Sequence, residues 1–270
     1  MVIALLTIVF IGIMAFNNRL VVNSYQLLTG KVNVPIRLAM IADLHSCYYG
    51  EGQKELLDSL IDQQPDIVLL GGDIVDDRLP EENALVFLES AAKLLPCYYV
   101  TGNHEYRSGR VKNIKQVLKD YGVTVLEGDC YPVDINGQII NICGIDDYEI
   151  GDNAYNEQLE KTMANRNPDY YTVLVAHRPE HIDRYLNYDF DLVLTGHSHG
   201  GQWRIPGILN GLLAPHQGIF PEYAGGQYSF ANTVLIVSRG LAKESTRIPR
   251  IFNPPEMVMV DIVPDEASAQ

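Results

Sequence analysis

Short apolar runs alternate with amphipathic stretches along most of this chain, and the runs end on Asp, Asn or His. IRLAMIAD (36–43) is an unbroken apolar run closed by an acid, and QKELLDSLIDQQ (53–64) carries apolar residues at helical spacing. DIVLLGGD (66–73) precedes PEENALVFLESAAKLL (80–95), whose Pro80 starts a helix. CYYVTGNHE (97–105) reads as a strand and VKNIKQVLKDYG (111–122) as a helix ended by Gly122. Next come β-type segments with a turn at Asn136-Gly137, the mark of a hairpin. A helix over 154–165 follows, with strands at 171–177, 190–197, 233–240 and 257–263. This rhythm predicts an α/β fold, whose ligands bind outside the carboxyl ends of the strands.

The polar residues at those ends are therefore the candidate site. Asp43 and His45 close one run and Asp73 the next. Asn103, His104 and Glu105 close a third, His177 another, and His197 with His199 the last. Five of the seven histidines sit at such ends, too many for scattered core or surface residues. Carboxylate, amide and imidazole donors without a required Cys favour Mn²⁺, Fe or Zn²⁺ over thiolate-loving ions. In an extended segment the D-x-H and H-x-H spacings place both side chains on one side. Two such pairs and a shared Asp suit two ions, which clamp the attacking and leaving oxygens of an in-line displacement.

Composition excludes other classes. With 20 Lys+Arg against 34 Asp+Glu, the net charge is −14, and a chain so acidic repels nucleic acid. Cys47, Cys97, Cys130 and Cys143 contain no C-x-x-C pair and read as buried free thiols. Residues 1–16 carry no charged side chain and, with their flank, read as a membrane anchor; a cleaved signal and a buried core helix are the alternatives. Arg19, Lys31 and Arg37 follow it, a slight lean toward a cytoplasmic domain that leaves the side of the membrane open.

The strings Asp43-Leu44-His45, Gly72-Asp73-Ile74-Val75-Asp76, Gly102-Asn103-His104-Glu105, His177 and Gly196-His197-Ser198-His199 together resemble the calcineurin-like metallophosphoesterase superfamily. GHSHGGQ (196–202), the Gly/Pro/Tyr stretch 206–228, SRGL (238–241) and IPRIFNPPE (248–256) resemble its membrane-anchored YaeI/YkuE-type phosphodiesterase branch, which is similar to the UDP-diacylglucosamine pyrophosphate hydrolases. The resemblance implies a four-layered α/β/β/α sandwich after an N-terminal hydrophobic helix. With the apolar N-terminus and the polar stretch after it, the chain reads as an anchor (1–18), a linker (19–34), the metallophosphoesterase domain (35–264) and a tail (265–270).

The resemblance also implies roles. Asp43, His45 and His199 bind the first of two divalent ions, Mn²⁺ foremost, with Fe or Zn²⁺ accepted. Asp73 bridges both, and Asn103, His177 and His197 complete the second. His104 contacts the substrate phosphate, as does Asn103, and protonates or stabilises the leaving oxygen; Asp76 orients His104. A hydroxide activated by the two metals attacks a phosphodiester or pyrophosphate, on a lipid-linked or nucleotide-linked substrate at the bilayer. A phosphomonoesterase or protein phosphatase of the same superfamily, or a silent metal-binding scaffold, is the alternative.

Other residues are less constrained. Glu105 is either a partner of the site or a loop stabiliser. His181 reads as a surface residue or one behind the ligands, and His216 as part of a solvated loop within reach of substrate. Arg178 and Arg239 are compatible with phosphate binding, and Cys47 is a bystander. Ile219, Phe220, Tyr223, Tyr228 and Phe230 form either an apolar wall or a satellite core. Oligomeric state is unreadable.

Overall fold

In the computed structural model, which describes residues 2–243 and 248–265, helix α1 (Val2–Ala15) leads into strand β1 (Val21–Thr29). Then come β2 (Ile36–Ile41), α2 (Lys54–Asp62), β3 (Ile67–Gly71), α3 (Glu82–Leu94), β4 (Cys97–Val100), α4 (Asn103–Arg107), α5 (Val111–Asp120) and β5 (Thr124–Val125). The hairpin β6 (Asp129–Ile135) and β7 (Gln138–Gly144) precedes α6 (Asp152–Asn165), β8 (Thr172–Val175), α7 (Ile182–Tyr185) and β9 (Leu192–Thr195). The chain continues through β10 (Leu213–Ala214), β11 (Gly218–Ile219), β12 (Gly226–Ser229), β13 (Val234–Val237) and β14 (Glu256–Pro264).

Two six-stranded sheets form, in the orders β1-β14-β2-β3-β4-β5 and β12-β13-β9-β8-β7-β6. The β2-β3-β4-β5 and β7-β8-β9-β13 neighbours are parallel, so their carboxyl ends share an edge. Strand alternation builds three apolar layers. Ala39 and Ile41 of β2 pack under Leu56 and Leu60 of α2, Phe87 and Leu88 of α3 and Leu118 of α5. Leu38 and Met40 point the other way, into a layer shared with Ile142, Val173 and Leu194 of the second sheet. That sheet's far face, including Leu174 and Val193, is covered by Tyr155 and Leu159 of α6 and Ile182 and Tyr185 of α7. Burial on both faces is why these strands read as continuous apolar runs.

Four expectations change. The stretch expected as a linker, 19–34, contains β1, which pairs in parallel with β14 from Val21↔Glu256 to Thr29↔Pro264. Its polar alternation is that of a sheet edge. The expected membrane anchor is overturned: among the described residues no helix is long and apolar enough to cross a bilayer. Helix α1 has 14 residues, roughly 21 Å of rise against a hydrocarbon core of about 30 Å. The single-pass placement falls with it. The thiols also differ, since Cys130 and Cys143 lie opposite each other across the β6–β7 register and are joined as a disulfide. Cys47 and Cys97 are buried and free of disulfides, as expected. Of the tail, residues 266–270 lie outside the described residues; Asp265 still donates its N–H to the Thr29 carbonyl at 2.9 Å.

Strand β1 closes the edge of β14, with Leu27 buried between the sheets and Val22 packed against the helical layer. Removing residues 1–18 is therefore expected to leave the melting temperature within a few degrees. Removing residues 1–30 is expected to lower it by at least about 5 °C, or to yield aggregate through the opened edge. Equal melting of the two truncations by calorimetry would contradict this placement.

Candidate metal centre

Each strand end turns sharply to present its side chain. Asp43, His45, Asp73, His197 and His199 all have left-handed backbone, with φ of 51°, 48°, 51°, 68° and 48°. The D-x-H and H-x-H pairs thus lie beyond the strands, not within extended segments as the spacing argument held. Left-handed conformation costs a non-glycine residue roughly 1–2 kcal/mol, and such strain concentrates at functional sites. Two glycines let the backbone close in. Gly240 (φ 69°) has no room for a Cβ, which would sit 2.6 Å from Asp43 Oδ2. At Gly72 (φ 86°) a Cβ would lie 2.7 Å from His177 Nδ1.

The turns gather the expected residues into two touching groups. Donor atoms of Asp43, His45 and His199 lie within 4.8 Å of one another, as do those of Asp73, His177 and His197. Asp73 Oδ2 stands between the groups, 3.2 Å from His177 Nε2 and 3.6 Å from His45 Nε2. Both Asp73 Oδ2 and His45 Nε2 are buried and lack a hydrogen-bond partner. Buried polar atoms are rarely left so, and here they converge on one small volume. Asn103 is buried beside them, its amide 2.9 Å from His197 Nδ1. This oxygen-and-imidazole donor set fits divalent cations.

The outer nitrogens of the histidines are held from behind. His45 Nδ1 is 2.8 Å from Asp76 Oδ2, and His177 Nδ1 is 2.8 Å from the Gly71 carbonyl. Such partners fix ring orientation and tautomer, leaving the other nitrogen for the centre. Here Asp76 differs from expectation: its shortest imidazole contact is His45, and it lies 3.4 Å from His104 Nδ1. The carboxylate hydrogen-bonded to His104 Nδ1 is Asp77, at 2.7 Å. Sequence reasoning passed over Asp77, although it directly follows Asp76; Asp76 lies between the two rings, nearer His45, and Asp77 makes the shorter contact with His104. Asp76 Oδ1 also accepts the N–H groups of Arg78 and Leu79 at 2.7 and 2.9 Å.

Electrostatics follow from this crowding. Burial works against ionising Asp73, yet His177, His45 and His104 hold it well below the ordinary carboxylate range. Burial pushes Asp43 up. Burial likewise opposes protonation of His104, but Asp76, Asp73 and Asp77 raise it to about 9. His197 and His199 are held neutral by burial, the form in which imidazole ligates a metal.

Glu105 stabilises the loops. Its Oε1 accepts from the N–H of Ile74 (2.7 Å) and Val75 (3.0 Å), and its Oε2 from Asp73 (3.0 Å) and Gly102 (2.9 Å). It ties the turn after β3 to the start of α4. IPRIFNPPE serves similarly: Asn253 Nδ2 donates to the His199 carbonyl at 2.7 Å, and buried Arg250 donates to the carbonyls of Ala242 and Arg239. Neither arginine considered for phosphate binding is free. Arg178 forms a two-point pair with Asp147 at 2.8 and 2.9 Å, and Arg239 pairs with Glu256. His181 packs behind the site against Tyr148 and Tyr155. Tyr223, Tyr228 and Phe230 join the α6–α7 layer, whereas Ile219 and Phe220 are exposed, so the aromatic stretch is split.

Comparison with known proteins gives the family. The family model described as Calcineurin-like phosphoesterase matches residues 36–201. An uncharacterized metallophosphoesterase of Aquifex aeolicus is 30% identical over 89% of this chain and 91% of its own length. Phosphodiesterase YaeI of Escherichia coli is 28% identical over 85% of this chain and 83% of its own. Other relatives are longer, and the chain spans 46% of two of them. Among solved structures, TT1561 of Thermus thermophilus shares the fold, with a TM-score of 0.52 at 11% identity over 77% of this chain and 91% of that one.

Glu105→Gln retains one acceptor oxygen and sets an amide nitrogen against two buried N–H groups. We expect a loss of about 2–5 kcal/mol in urea unfolding of chelator-treated protein. A loss below about 1 kcal/mol would remove the stapling role.

Proposed function

This chain belongs to the calcineurin-like phosphoesterase family, and we propose that it hydrolyses phosphodiester or pyrophosphate bonds with two divalent cations. The observation that carries this is Asp73 Oδ2, buried, accepting no hydrogen bond and facing His45 Nε2 of one ligand group and His177 Nε2 of the other. In this reading Asp43, His45 and His199 hold one ion, and Asn103, His177 and His197 the other, with Asp73 shared. Mn²⁺, Fe and Zn²⁺ all suit this mixture of oxygen and imidazole donors. When bound, the ions supply Lewis acidity toward phosphoryl oxygens and lower the pKa of water. The diester preference is supported by the likeness to a relative named a phosphodiesterase.

The chain's residues do the rest. Asp43 and Asp73 offset the cations' charge, and Asp76 and the Gly71 carbonyl keep His45 and His177 turned inward. His104 is the most open of the strand-end histidines, its side chain 23% exposed. With Nδ1 held by Asp77, its Nε2 hydrogen-bonds a phosphoryl oxygen and passes a proton to the leaving oxygen. Asn103 assists in holding the phosphate.

The test uses the full chain stripped with chelator and resupplied with Mn²⁺, Zn²⁺, Fe²⁺ or Mg²⁺. Cleavage of an aryl phosphodiester faster than the matching monoester is the expected result. Preference for the monoester would move the assignment to a phosphomonoesterase, and no turnover despite two bound ions would leave a metal-binding scaffold. His104→Ala is expected to keep both ions and lose about 10²–10⁴-fold in turnover. Asp73→Asn is expected to lose ion occupancy itself, read by metal analysis after gel filtration.

A further inference from the structure

We infer that His216 is a positioning residue for the second cation, accepting the outer N–H of His197 and thereby turning His197 Nδ1 inward. The inference rests on the two-cation reading above. His45 and His177 share one arrangement, in which a partner behind the ring holds Nδ1 and Nε2 faces the centre. His197 reverses the nitrogens but keeps the logic. Its Nδ1 lies 3.1 Å from His177 Nε2, and its Nε2 lies 2.8 Å from His216 Nδ1. Two imidazole nitrogens so close share a single proton. An inward lone pair on Nδ1 puts that proton on His197 Nε2, so His216 Nδ1 is the acceptor. Glu180 is not an alternative acceptor: its Oε1 is 3.8 Å from His197 Nε2 and 3.9 Å from His216 Nδ1.

The backbone supports the same assignment. His216 has φ 59° and lies in the turn joining β10 and β11. Its ring stacks on His197, with centroids 5.0 Å apart and planes 20° from parallel. Its neighbour Gln217 donates to Ser198 Oγ at 3.0 Å and accepts the Tyr223 N–H at 2.9 Å. Ser198 separates His197 from His199, so this hairpin is fastened to the ligand turn at two adjacent residues. Loss of a residue behind a metal ligand typically lowers metal affinity by about 10–100-fold.

The experiment titrates Co²⁺ into stripped full-length protein, followed by calorimetry and visible absorption, for wild type, His216→Phe and His216→Asn. Phe has no acceptor, whereas Asn places an amide oxygen near the position of Nδ1. The His216 side chain is 42% exposed, so the fold tolerates both, and circular dichroism checks this. Two ions in wild type are expected. His216→Phe is expected to weaken one of them by about 10–100-fold and leave the other within about twofold, and His216→Asn to restore most of the loss. Equal affinities in wild type and His216→Phe would overturn the role of His216 and leave the two-cation reading intact. Failure of His216→Asn to restore binding would overturn the acceptor assignment. A third ion in wild type, lost in His216→Phe, would overturn it too, because His197 Nε2 would then be a ligand. Fewer than two ions in wild type would overturn both readings.

Discussion

Burying acids at one sheet edge is the constraint on which this structure depends. Asp43, Asp73, Asp76 and Glu105 are all almost wholly buried at that edge, and an isolated ionised carboxylate in such a place costs several kcal/mol. Each is treated differently. Glu105 receives four backbone N–H groups, and Asp76 receives two besides the His45 ring. Asp43 Oδ1 and Oδ2 accept the His197 N–H at 3.0 and 3.1 Å. Asp73 Oδ1 accepts the His104 N–H at 2.7 Å, and its Oδ2 alone is left over. The residual demand for positive charge is thus narrowed to one oxygen, and the left-handed turns aim the imidazoles at it.

Three other buried acids are matched by Lys or Arg instead. Asp147 is paired with Arg178, Asp146 with Lys115, and Glu256 with Arg239. A buried acid facing a guanidinium or ammonium ion is a finished structure with no capacity left for an ion. Around Asp43 and Asp73 the facing groups are imidazoles, which ligate a cation when neutral. The contrast separates acids that hold the fold from the two acids of the proposed centre.

Much of this was legible in the sequence, for a physical reason. Strands buried on both faces are continuous apolar runs, so β2, β3, β8 and β9 could be read directly, and each of the seven expected ligands lies at a strand end or just beyond it. What escaped was set by partners distant in sequence. β1 is an edge strand whose partner lies 235 residues on in the Val21↔Glu256 pair, and its mixed pattern, VVNSYQLLT, resembles a linker. Cys130 and Cys143 meet only once the hairpin register is set. The partition of Asp76 and Asp77 between His45 and His104 depends on a turn geometry that no spacing encodes. Helix α1 shows the opposite error: the anchor reading needed the flank to lengthen an apolar run that was short for a bilayer, and the helix stops at Ala15, before that flank.

The placement of the centre has a consequence for the fold as a whole. Asp43, His45, Asp73 and Asn103 follow strands of the first sheet, whereas His177, His197 and His199 follow strands of the second. Neither sheet holds a complete ligand set. The seam between them is closed at this edge by main-chain contacts: the Leu241 N–H donates to the Ala42 carbonyl at 3.1 Å, and Gly240 packs on Asp43. Sliding the sheets by a single residue would separate Asp73 from His177 and leave both acids of the centre buried without compensation. Dense apolar packing between the sheets resists such sliding. The same layer that stabilises the fold therefore sets the spacing of the ligands, and this explains why strained backbone is confined to turns beyond the strands and the strands themselves remain regular.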